Sequence, residues 1–117
     1  MIPVSKPIIL KQDINSVSRV MRDGWITSEG PAVKMFEKKF SDLIKKKYAS
    51  TVSNGTAALE IAIKCLNLKK NDEIIIPNFT IVSNLIAVLK NNLKPVLVDC
   101  DPITWNMNIE KIKKAIN

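Results

Sequence analysis

Histidine is absent from the 117 residues. That removes the Ser-His-Asp and Cys-His relays and the commonest metal ligand. Glycine is scarce, with three residues, which excludes a collagen-like repeat. The two cysteines, Cys65 and Cys100, stand far apart and outside any metal-binding spacing. They read as reduced thiols of a cytoplasmic protein rather than a disulfide. No apolar run approaches the roughly 18 residues that a membrane span needs. The start, Met-Ile-Pro-Val-Ser-Lys, has no basic stretch followed by an apolar one, so it does not read as a secretory signal. Chemistry must come from Lys, Asp, Ser, Thr, backbone amides or a cofactor.

What is present has globular proportions: 46% apolar and 25% charged residues, enough for one domain with a modest core. The net charge is +7, which raises nucleic acid as a partner. The lysines, however, are spread along the chain in short clusters such as Lys45-Lys46-Lys47, and aromatics do not interleave with them. Phe36 and Phe40 stand at core spacing instead. Solvated helix faces explain the charge better, and neither nucleic acid nor membrane is expected as a partner.

Pro3 and Pro7 keep residues 1–10 extended. Ile14, Val17 and Met21 share one face of a helix over Asp13–Arg22, stopped by Gly24. Residues 25–30 form a loop, and Pro31 opens a second helix with a stripe of Val33, Phe36, Phe40 and Leu43. From there the pattern predicts a strand at Tyr48–Val52, a buried helix at Ala57–Leu66 and a strand at Glu73–Ile76 ended by Pro77. An apolar helix at Thr80–Leu89 and a strand at Pro95–Val98 follow. A last helix capped by Asn108 passes through Ile109, Ile112 and Ile116 and runs up to Asn117. Nearly pure apolar strands alternating with helices mean an α/β fold: three αβα layers around a mainly parallel sheet. The expected division is a helical arm, 1–47, and a β-α-β-α-β-α core, 48–117.

Val52-Ser53-Asn54-Gly55-Thr56-Ala57-Ala58 lies where a strand gives way to a helix. Gly55 would let the backbone turn sharply and approach a ligand. The amides of Thr56 and Ala57 would be free donors at the positive helix end, and Thr56 adds a hydroxyl. That is a phosphate site by geometry and dipole, although a plain capped turn has the same sequence. It is neither a Walker loop nor a dinucleotide fingerprint. Pro77-Asn78-Phe79-Thr80-Ile81 falls on the same carboxyl edge of the sheet, where ligands of open parallel sheets gather. There Phe79 is expected to pack and Thr80 to cap the helix. Gly24-Trp25-Ile26-Thr27-Ser28-Glu29-Gly30 reads equally as a sugar- or partner-binding loop and as a connection plugged by Trp25. Asp99 and Asp101, beside Pro102, read as turn residues.

Five ordered segments carry a resemblance: Ile2–Pro7, Gly24–Ser28 before Phe36-Glu37, Val52–Leu59, Asp72–Thr80 and Pro95–Asp99. Together they resemble the N-terminal part of the DegT/StrS nucleotide-sugar aminotransferases. The Ser-Asn-Gly-Thr and Asp-x-x-Thr-Trp-x-Met variants are most similar to those of perosamine synthases. The resemblance implies part of a type I aminotransferase fold, a homodimer and pyridoxal 5′-phosphate (PLP) as cofactor. It implies an amino donor, glutamate, and a nucleotide-linked keto-sugar acceptor, in amino-sugar and polysaccharide synthesis. Gly55, Thr56 and Ala57 match the place where the family holds the PLP phosphate. Ile81 stands where the family usually has an aromatic on the cofactor ring, so stacking would be weaker. Ile26, Thr27, Ser28 and Glu29 match a region that approaches the sugar. The Schiff-base lysine of the family would lie beyond residue 117, so this stretch by itself is expected to be inactive. The rival readings are a PLP-dependent sugar dehydratase of the same family, an inactive remnant acting at most as an interaction module, and a basic nucleic-acid-binding module.

Overall fold

The computed structural model describes residues 2–116. The chain divides into two compact units, Met1–Thr51 and Val52–Asn117.

The first unit holds two helices, α1 (Lys11–Arg22) and α2 (Pro31–Leu43). The Asp13 carboxylate accepts the Leu10 amide at 2.8 Å and closes the start of α1. Gly24, at φ 77°, ends it in the left-handed region that a glycine enters without strain. Pro31 occupies the first turn of α2, where its missing N–H costs nothing. Phe36 and Phe40 stack one turn apart, with centroids 6.0 Å apart. Neither apolar stripe is buried within the unit: Ile14, Val17, Met21, Phe36, Phe40 and Leu43 are all exposed. The core role expected of Phe36 and Phe40 therefore does not hold inside this unit.

Tyr48–Val52 is not a strand. A strand exists only through its ladder, and no ladder partner meets this segment among the described residues. Instead Glu37 Oε1 accepts the Thr51 amide at 2.7 Å and the Thr51 hydroxyl at 2.9 Å. A carboxylate thus does for one amide what a neighbouring strand would do for several.

The second unit runs α3 (Gly55–Lys64), β1 (Glu73–Pro77), α4 (Ser83–Lys90), β2 (Lys94–Val98) and α5 (Ile109–Ala115). The two strands pair in parallel, from Glu73 opposite Lys94 to Pro77 opposite Val98. The sheet has two strands where three are expected, because the first does not form. The core is a small cluster of Ile76, Val88 and Leu93, edged by Ile63, Ile74 and Leu85. Helix α4 packs on both strands, α5 on β2 and α3 on α4. Contrary to expectation, α3 has no buried residue. Its apolar sides outnumber the surfaces offered to them. The last helix ends at Ala115, short of Ile116, and Asn117 lies outside the described residues.

Asparagine makes several of the turns. Asn67, Asn71 and Asn92 take φ between 51° and 71°, a region asparagine tolerates because its side chain bonds locally. Among the described residues four lysines have carboxylate partners: Lys38 with Asp42, Lys90 with Glu60, Lys111 with Asp99 and Lys113 with Glu110. These are exposed or partly exposed pairs that contribute little stability. Among the described residues no helix is long and apolar enough to cross a membrane.

Candidate functional site

Helices α3 and α4 lie side by side and point the same way. Near its start α3 meets α4 through Thr56, whose hydroxyl donates to Ser83 Oγ at 2.9 Å. One turn on, the Asn91 side chain donates to the Glu60 carbonyl at 3.1 Å, and Lys90 pairs with Glu60 at 2.8 Å. Two helix N-termini therefore share one end, the end at which β1 delivers Pro77 into Asn78–Val82. Both macrodipoles present their positive poles there.

The Asn54 carboxamide oxygen accepts the Ala57 amide at 2.9 Å. This corrects one expectation: the Ala57 amide is occupied by the cap and is not a free donor. The amides of Gly55 and Thr56 donate to no group among the described residues. They are the available pair. Gly55 also differs from expectation. It is not in the left-handed region, so the turn does not require glycine. A Cβ built there meets nothing within 4 Å. What the missing side chain leaves is an open approach to the two amides. These features fit a phosphate group: two amides, a hydroxyl pair and a clear face.

Ile81 is exposed in the connection before α4, which begins at Ser83 rather than Thr80. Thr80 does not cap the helix backbone; its hydroxyl accepts the Asn84 side-chain amide at 2.9 Å. Phe79 packs against Trp105 at 5.1 Å, with both rings largely exposed. Trp105 takes φ 61°, costly for a bulky residue. The Asp101 turn holds it there: the Asp101 carboxylate accepts the amides of Ile103 and Thr104 and the Thr104 hydroxyl, and the Asp101 carbonyl accepts the Trp105 amide. Those bonds hold the Asp101 carboxyl below its ordinary pKa, the Thr104 amide contributing most. Asp99 is likewise lowered, first by Lys111 and then by the Cys100 amide. Asp101 closes a turn, as expected, whereas Asp99 follows β2 and ties it to α5 through Lys111.

Ile26, Thr27, Ser28 and Glu29 belong to the first unit. They form an exposed turn in which Thr27 Oγ1 accepts the Glu29 amide at 3.3 Å. Trp25 lies over Gly30, where an added Cβ would come within 3.3 Å of the Trp25 side chain. The aromatic thus plugs its own loop, yet it stays half-exposed.

Sequence reasoning missed Ser83. The available signal was weak: a hydroxyl residue stands in the first turn of each of the two helices that start at the same sheet edge. A hollow of about 530 Å³ lies at the opposite ends of α3 and α4, lined by Lys64, Asn67, Lys90 and Leu93 among others. It faces helix C-termini, which repel anions; Glu60, Lys90 and Asn91 border it, but Gly55, Thr56, Ile81 and Ser83 do not.

The chain belongs to the DegT/DnrJ/EryC1/StrS aminotransferase family, whose model matches residues 7–117. It is 35% identical over 115 residues to the GDP-perosamine synthase of Escherichia coli O157:H7, covering 98% of this chain and 32% of that protein. It superposes on a candidate sugar aminotransferase of Streptococcus pneumoniae in its PLP-form, with TM-score 0.88 and 31% identity, over 99% of this chain and 29% of that one. The E. coli GDP-4-keto-6-deoxy-D-mannose-3-dehydratase with bound hydrated PLP matches with TM-score 0.87 and 29% identity, over 98% of this chain and 31% of that one. The fold is therefore part of the αβα type I fold of PLP-dependent sugar aminotransferases. The chain spans about a third of the length of these relatives.

Proposed function

We propose that this chain is the N-terminal portion of the PLP-binding domain of a nucleotide-sugar aminotransferase, with 1–47 as its arm and 48–117 as its core. The whole protein would move an amino group from glutamate to a keto-sugar nucleotide. The observation that carries this reading is the α3 start: unpartnered Gly55 and Thr56 amides beside the Thr56–Ser83 hydroxyl pair. A phosphate monoester carries a charge of about −1.5 to −2 at neutral pH. An amide bond to such an acceptor contributes about 1.5–3 kcal/mol, and a helix end about 0.3–1 kcal/mol. The amides and hydroxyls therefore decide the affinity, and the dipole assists. When bound, the cofactor ring supplies the electron sink that amino transfer needs. Ile81 would cover one ring face, and Ile26, Thr27, Ser28 and Glu29 would line the sugar side. The family's homodimer would complete the site. A PLP-dependent dehydratase remains the second reading, favoured by the similarity to the E. coli 3-dehydratase.

The test uses the protein expressed from its complete reading frame, purified with PLP. Glutamate should release 2-oxoglutarate, and GDP-4-keto-6-deoxymannose should then become an amino-sugar nucleotide by mass spectrometry. A deoxygenated keto-sugar product instead selects the dehydratase. No PLP retention and no 2-oxoglutarate would discard both.

A further inference from the structure

Resting on the phosphate reading of the α3 start, we infer that Ser83 is a positioning residue for that site. Its hydroxyl holds the Thr56 hydroxyl in the orientation that receives a phosphate oxygen.

Thr56 carries the only side-chain donor in the first turn of α3, between Gly55 and Ala57-Ala58. A helical threonine divides between two rotamers, because its hydroxyl can turn back onto a carbonyl three or four residues earlier. Thr56 is the second residue of α3, so those carbonyls belong to Val52 and Ser53, ahead of the helix, and no helical back-bond fixes its rotamer. The structure shows neither bond. The hydroxyl reaches 27 residues along the chain to Ser83 Oγ at 2.9 Å, in a half-buried contact. Ser83 therefore selects the rotamer.

The proton count supports the same role. Each hydroxyl has one proton and two lone pairs, and its proton rotates freely. One proton of the pair is spent between the two oxygens. For Thr56 to serve an anion the donation reverses: Ser83 donates to Thr56 Oγ1, and the Thr56 proton points outward. The anion then receives that proton, from a Thr56 oxygen polarised by Ser83. Alanine at position 83 would leave the Thr56 rotamer unselected and would remove the polarising partner.

The test titrates PLP, and separately pyridoxal, into the apoprotein from the complete reading frame, following the cofactor absorbance. Inorganic phosphate serves as competitor. In Ser83→Ala the PLP Kd should rise by about fivefold to tenfold, the worth of the neutral hydroxyl–hydroxyl bond that orients Thr56. Pyridoxal, which lacks the phosphate, should bind as in wild type. Competition by inorganic phosphate should weaken by the same factor, and Ser83→Thr should restore both. Thr56→Val combined with Ser83→Ala should lose no more than Thr56→Val alone. If Ser83→Ala does not fold by circular dichroism, Ser83→Cys is judged by the same criteria. Equal shifts for PLP and pyridoxal, or none, overturn the inference while leaving the cofactor reading intact. A wild type that binds PLP no better than pyridoxal overturns both.

Discussion

Gly55 shows how a residue can be costly to the fold and useful to a site. Its backbone is ordinary and its missing Cβ faces open space. Gly55→Ala should therefore fold and gain about 0.4–1 kcal/mol by restricting the unfolded chain. The same methyl would stand over the Gly55 and Thr56 amides. PLP affinity should fall by at least about tenfold, the worth of one charge-assisted bond. Thermal melts and cofactor titration measure the two effects, and a variant that binds PLP as well as wild type would remove Gly55 from the site. Three carboxylates set the acid limit. Glu37 is lowered chiefly by the Thr51 amide, Asp99 by Lys111 and Asp101 by the Thr104 amide. A lowered folded pKa means that the unfolded chain takes up its proton first as pH falls. The contribution is complete at neutral pH and is lost as pH drops through the folded values. With no histidine among the 117 residues, the helical circular-dichroism signal of the chain should be flat between about pH 8 and 6 and decline below about pH 4. A helical signal that grows on acidification would contradict these assignments.

At the scale of the element, stability is concentrated in one helix. Helix α4 supplies the buried Ala87 and Val88 and touches both strands. Val88→Ala removes two buried methyl groups from a core built on Ile76, Val88 and Leu93. The expected cost is about 2 kcal/mol, a large share of what so small a core supplies. Hydrogen exchange of the β1 and β2 amides should accelerate together, and unchanged exchange would move the core elsewhere. Elements with strong local signals were legible in advance. Pro31 opens α2, Asn108 caps α5, and the Ile74–Ile76 and Val96–Val98 runs form strands. Asn54 was visible as a turn residue, but its capping of Ala57 was not, because the same letters serve a ligand turn and a cap. The start of α4 was also misplaced, since the Asn84–Thr80 side-chain bond imitates no motif written in sequence.

The whole molecule exposes 10219 Å². A compact monomer of this mass exposes about 6,400 Å², and two separate bodies of half the mass about 7,700 Å². The excess is apolar in large part, from Ile14 and Phe36 to Leu66 and Leu97. Each side of the two-stranded sheet also has an unpaired edge, a template for association. The 117-residue chain on its own should therefore scatter light in a concentration-dependent way and melt without a sharp transition. A sharp, concentration-independent melt of a monomer would refute this.

The sequence alone determined the alternation of helices and strands, the absence of histidine chemistry and the turn at Gly55 as an anion-site candidate. Periodicity, caps and breakers act within a few residues and can be read in order. Only the tertiary structure decided that Tyr48–Val52 does not pair, that α3 stays exposed and that Thr56 meets Ser83. Each of these depends on whether a partner many residues away arrives, which local patterning does not specify.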